Sequence, residues 1–192
     1  MSPRQELRAA TADEHERVDR LFSMFDLGTD EGYRAFLSAQ AWAYLPVEKA
    51  LDTAGAARLI DDWRERRRAH LLLADLEELG AGRMESSAQS HRGVPVFSAR
   101  EGCERDAAIL GALYVLEGSR LGGAVLKRRL PPGMPVRFLG TPQSPGAWRK
   151  LLEILDECLY EPERLAVAVG TARDVFMRFE SGGRRVLENA AA

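Results

Sequence analysis

Cysteine is nearly missing from this 192-residue chain: Cys103 and Cys158 are the two present, and neither sits in a CxxC or Cys/His spacing. That argues against a disulfide scaffold and a structural zinc site and fits a reducing cytoplasm. An excess of one charge is missing too. With 27 Lys+Arg against 29 Asp+Glu and a net charge of −2, the chain offers no footprint for non-specific nucleic-acid binding. Apolar runs are short: the longest, Ala107 to Leu116, lies between Asp106 and Glu117 and falls well below the ~18 residues of a membrane span. The N-terminal MSPRQELRAATADEHERVD is charged throughout, so no secretory leader is expected and the chain is expected to act as written.

Several catalytic motifs are also absent. No HExxH, no GxGxxG after a strand and no GxxxxGK[ST] occurs, which removes zincin, dinucleotide-fold and P-loop chemistry. A di-iron bundle site needs Glu three residues before His, yet Ala12, Arg67 and Ala88 precede His15, His70 and His91 at that spacing. No useful strand alternation and no internal repeat appears.

Helical periodicity is what remains, and it covers most of the chain, so the expected fold class is all-α with residues 1–192 forming one domain. Leu7, Thr11, His15, Val18, Phe22 and Phe25 recur at steps of four and three, predicting a first helix entered through Ser2, Pro3 and Gln5. A second follows Thr29 or Asp30, with Tyr33, Leu37, Gln40, Tyr44, Val47 and Leu51 on one face and Pro46 inside it. A third is predicted from about Ala56 to Leu79, ended by Gly80 and Gly82. A loop from Gly82 to Arg100 precedes a long helix over Asp106 to Leu130, closed by Pro131, Pro132 and Gly133. Pro145 to Tyr160 and Pro162 to Leu187 supply two more.

Two features could carry chemistry. His15 lies on the apolar stripe, while Arg8, Asp13, Glu16 and Arg20 take the opposite face. Such a histidine is either a satisfied core residue or a metal or cofactor ligand; Asp19, at i+4, can hold its other ring nitrogen and so fix the tautomer. The second is GALYVLEGSRLGGAVL, residues 111–126, where Gly111, Val115, Gly118, Gly122 and Val125 share a face. Each interior glycine costs a helix about 0.8–1 kcal/mol against alanine, so something must approach that backbone closely. Tight helix packing and a flat ligand laid on the helix both meet that requirement. The run Arg64, Arg66, Arg67, Arg68, interleaved with acids, is expected to be a solvated helix face.

LRAATADEHERVD (7–19) resembles the proximal helix of the haem oxygenases, and YVLEGSRLGGAVL (114–126) resembles their glycine-rich distal helix, especially in the bacterial type found beside bacteriophytochromes. AYLPVEKAL (43–51) is similar to a third segment, so the likeness spans most of the chain in the right order. It implies a helical bundle holding haem, both cofactor and substrate, with His15 as axial iron ligand. Gly118, Ser119 and Gly122 would form the distal surface on which dioxygen is steered to one meso carbon. Arg8, Thr11, Asp19, Tyr114, Gly123, Arg149 and Phe176 are implied to surround the haem, with Arg8 and Arg149 serving its propionates. The family's reaction consumes dioxygen and electrons from a separate reductant, such as ferredoxin or a flavoprotein reductase, and releases biliverdin, ferrous iron and carbon monoxide. A neutral histidine ligand suits that chemistry, since a thiolate would promote O–O cleavage. A bacteriophytochrome is the implied recipient of the product. Better-known members carry aspartate where Ser119 stands, so a different proton relay is expected here, and a noncatalytic haem or tetrapyrrole carrier or sensor is the alternative.

Overall fold

Pro3 at the first helical position and Ser2, whose N–H donates to Gln5 Oε1 at 3.0 Å, start helix α1 (Pro3–Ala10) in the computed structural model, which describes residues 1–81, 97 and 100–190. The expected single first helix is in fact two. At Thr11 the backbone turns to φ −114°, ψ 9°, and α2 (Ala12–Phe22) begins there. The Thr11 side chain is buried and its Oγ1 donates to the Leu7 carbonyl at 2.8 Å, so it closes α1 instead of continuing it.

α3 (Asp30–Ala54) follows Thr29, whose hydroxyl accepts from Gly32 N–H at 3.1 Å. Its predicted stripe is buried at Tyr33, Leu37, Tyr44, Val47 and Leu51, and Pro46 sits within the helix.

The third helix is broken into pieces: a single 3-10 turn (Ala56–Arg58), α4 (Trp63–Arg66) and α5 (Ala69–Glu78). Arg67 is extended (φ −64°, ψ 135°), and buried Glu48 accepts from the N–H groups of Arg68 and Ala69 at 2.7 and 3.2 Å, capping α5 from another element. Gly80, at φ +70°, follows α5. Gly82, His91 and most of the predicted 82–100 loop lie outside the described residues.

α6 (Gly102–Lys127) is the central helix, packed most heavily on α9 (Pro162–Ala190), which also carries α2 and α3. By length and composition α6 could cross a bilayer, more than the short apolar run suggested, yet over half of its most apolar stretch is buried in the bundle. The one-turn α7 (Arg137–Gly140) and α8 (Ala147–Cys158) complete the set, and among the described residues there is no strand. Both cysteines are free thiols, Cys103 exposed and Cys158 half-buried.

Candidate functional site

The glycines of α6 divide by what lies over them. A Cβ at Gly111 would sit 2.2 Å from the Ala168 carbonyl oxygen, so this glycine exists for the close crossing of α6 and α9. Gly123 is buried against Leu139, away from the open side, which removes it from the expected haem contacts. At Gly122 nothing lies within 4 Å of that position, and at Gly118 the neighbour is the edge of the Trp148 ring, 3.6 Å away at Cη2. Leu121 and Val125 beside them are 51% and 61% exposed, unusual for large apolar side chains on a core helix. Packing therefore explains Gly111 and Gly123, while Gly118 and Gly122 lie on an apolar floor that is bordered by the Trp148 edge at one and open at the other.

Across from that floor stands α2. Both helices pack on α9, and their register is fixed at two points. Tyr114 of α6 lies close to the Thr11 side chain and Arg8, and Arg129, just beyond α6, shares a depression of about 420 Å³ with residues 23–28 after α2. His15 lies one turn beyond Thr11 and Gly118 one turn beyond Tyr114, so this parallel register sets the histidine level with Gly118.

His15 is a correction to the inward reading. Its side chain is 63% exposed, on the cleft side of α2, while the helix buries Phe22 instead. Its ring stands edge-on to buried Phe176 of α9 (centroids 5.7 Å apart, 77° between planes), and its Nδ1 lies 3.2 Å from Asp19 Oδ2. Phe176 supports the ring, Asp19 lies beside one nitrogen, and Nε2 is the nitrogen that Asp19 leaves unengaged.

Other expected contacts divide. Thr11, expected at the haem, is buried and its hydroxyl donates to the Leu7 carbonyl, with Tyr114 close by. Burial pushes the Tyr114 phenol up, keeping it a neutral hydrogen-bonding group. Arg149 belongs elsewhere. It is 80% exposed, pairs with Glu153, and lines a depression between α4 and α8 with Asp61, Asp62 and Lys150.

The chief omission is behind the floor. The arginine run expected to be a solvated face sends Arg66 and Arg68 into the interior, 3% and 2% exposed. Arg68 lies between the rings of Tyr44 and Phe138, its Cζ 5.1 and 4.6 Å from their centroids. Its Nε donates to Tyr44 Oη at 3.2 Å, Nη1 to the Phe138 carbonyl at 3.4 Å, and Nη2 to the Leu116 carbonyl and to Ser119 Oγ at 3.3 and 3.2 Å. Ser119 Oγ in turn donates to Leu116 O at 2.7 Å. Burial pushes the Tyr44 phenol up to about 12. Arg66 donates to Glu117 (3.3 Å) and to the Ala147 carbonyl (3.1 Å), while Gln143 donates to Glu117 at 2.7 Å and Arg120 pairs with it at 3.5 Å. Glu117, at the end of the apolar run 107–116, was the available signal, because a buried carboxylate requires cations, here Arg120 on the same helix and Arg66 from another element.

An exposed imidazole beside Asp19, two glycines with little over them, exposed Leu121 and Val125 and the nearby Arg8 are the groups a flat, metal-bearing, partly anionic ligand would use. The model of the heme oxygenase family matches residues 2–182. The chain is 29% identical over 183 residues to heme oxygenase PigA of Pseudomonas aeruginosa, covering 91% of this chain and 88% of that protein. It is 32% identical over 126 residues to a heme oxygenase of Xanthomonas campestris pv. campestris, covering 62% and 68%. Among solved structures, the NO- and CO-bound heme oxygenase of Neisseria meningitidis superposes with a TM-score of 0.77 at 25% identity, over 98% of this chain and 93% of that one.

Proposed function

The chain belongs to the haem oxygenase family and is an enzyme that degrades haem, and from that premise we propose that its substrate lies between His15 and the Gly118–Gly122 floor. The observation that carries this assignment is an exposed imidazole beside Asp19 together with two glycines whose outer side is open or bordered by an aromatic edge. The residues fit haem: an imidazole nitrogen for iron, a floor a ring can approach closely, and Arg8 for a propionate. Bound haem supplies the metal that activates dioxygen and the carbon that is oxidised, giving biliverdin, ferrous iron and carbon monoxide.

The chain's own residues do the rest. Asp19 Oδ2, 3.2 Å from Nδ1, occupies that side of the ring, which leaves Nε2 as the nitrogen for iron. Gly118 and Gly122 permit contact along the floor and bring no side-chain acid to it. Ser119 is the proton-positioning group. Its hydroxyl proton goes to Leu116 O and one lone pair receives Arg68, so the remaining lone pair can accept from a water at the floor. Arg68 stays charged and donates only, so it orients the hydroxyl without itself releasing a proton.

Electrons come from outside the chain, and a ferredoxin or flavoprotein reductase is the proposed donor. A bacteriophytochrome as recipient of biliverdin, a cytoplasmic setting and a single domain over residues 1–192 are supported by the sequence reading. The relatives named above give no support to a carrier or sensor role. His15→Ala tests the site: it is expected to shift or abolish the Soret band in a haemin titration, and a wild-type spectrum would refute the ligand assignment.

A further inference from the structure

Trp148 stands where the floor meets α8. Its backbone is fixed: Gly146, at φ +78°, turns the chain into α8, and buried Arg66 holds the Ala147 carbonyl at 3.1 Å. The half-buried indole leans on Tyr114, with centroids 5.9 Å apart and planes 33° from parallel, and its six-membered ring lies against Gly118. The volume that a side chain would take at Gly118 thus borders an aromatic edge, while the corresponding volume at Gly122 is open.

A porphyrin laid on α6 needs the contact shell over that floor, and the indole already holds its Gly118 end. Either the ring swings outward to stand beside the macrocycle, or the macrocycle sits toward Gly122 and abuts the ring. Both arrangements leave the indole against the porphyrin rim and limit how far it can move toward α8. The meso carbons of haem differ mainly by position around a nearly four-fold ring, so rim contacts decide which one is presented to the distal face. Resting on the haem reading above, we propose that Trp148 is a specificity-determining residue: its indole sets the in-plane seating of the substrate and thereby the biliverdin isomer formed.

Two measurements test this. In the cyanide complex with ferric haem, proton resonances of the haem methyl groups report seating without turnover. Wild type is expected to show one dominant set, Trp148→Ala an additional set together with a second biliverdin isomer, and Trp148→Phe the wild-type pattern. Unchanged resonances and an unchanged isomer in Trp148→Ala would overturn the proposal. Should Trp148→Ala fail to fold, wild type labelled with 5-fluorotryptophan decides. On adding gallium protoporphyrin, the resonance identified by its loss in Trp148→Phe is expected to shift far more than those of Trp42 and Trp63, and a Trp148 resonance that stays in place would overturn the proposal. Wild type that binds neither porphyrin would instead overturn the haem reading and this inference with it.

Discussion

Gly122→Ala separates the two uses of glycine on α6. The residue lies inside a helix with nothing within 4 Å of a new Cβ, so the methyl meets no clash in the ligand-free protein. The helix should gain the propensity difference of about 0.8–1 kcal/mol. For a domain of this size that corresponds to a rise of about 2–4 °C in Tm. The same methyl projects from the floor, where a bound ring would have to lift or shift. An overpacking cost of about 1–3 kcal/mol corresponds to a loss of roughly 5- to 150-fold in haem affinity. Thermal melts of the haem-free protein followed by circular dichroism, and haemin titrations read at the Soret band, measure the two effects separately. Gly111→Ala is the control: its Cβ would meet the Ala168 carbonyl at 2.2 Å, so it should lower Tm before any haem is added. A lowered Tm in haem-free Gly122→Ala, or haem affinity equal to wild type, would refute the open-floor argument.

Three further outcomes are expected. Glu117→Gln removes the charge shared by Arg66 and Arg120 and should cost about 3–5 kcal/mol in denaturant unfolding; a loss below about 1 kcal/mol would mean that this buried cluster is not cooperative. Burial raises the Glu48 carboxyl above its ordinary value, so the folded state binds its proton more readily than the unfolded one. Its contribution to stability is therefore greatest below the unfolded pKa and falls as pH rises through the higher folded value, and Glu48→Gln should gain on wild type over that interval; a pH-independent difference would contradict this. Ser119→Ala should leave the Soret spectrum in place while slowing biliverdin formation, and turnover at the wild-type rate would remove Ser119 from the proton path.

The apolar stripes of α3 and α6 were readable because they obey one period, and the Asp19 contact with His15 was readable because i+4 fixes it. Where one helix was expected across Thr11, a side chain that bonds back to Leu7 intervenes, and where one was expected across Arg67, the cap comes from Glu48 on another helix. Neither event leaves a local signature. The arginine run misled for a related reason: a charged face and a buried guanidinium read alike until the carbonyls, rings and carboxylate that receive it come from α3, α6 and the segment 138–147. Gly111 and Gly122 share a stripe, yet α9 covers one and leaves the other open, a distinction made by tertiary packing alone.

The most direct test is a haemin titration of the purified protein by visible absorption, followed by ascorbate or reduced ferredoxin in air. Stoichiometric binding, then decay of the Soret band as the red absorption of biliverdin and the carbonyl product appear, is the predicted result. A stable haem spectrum with both reductants would contradict the account of haem cleavage, and absence of any haem spectrum would contradict the site itself.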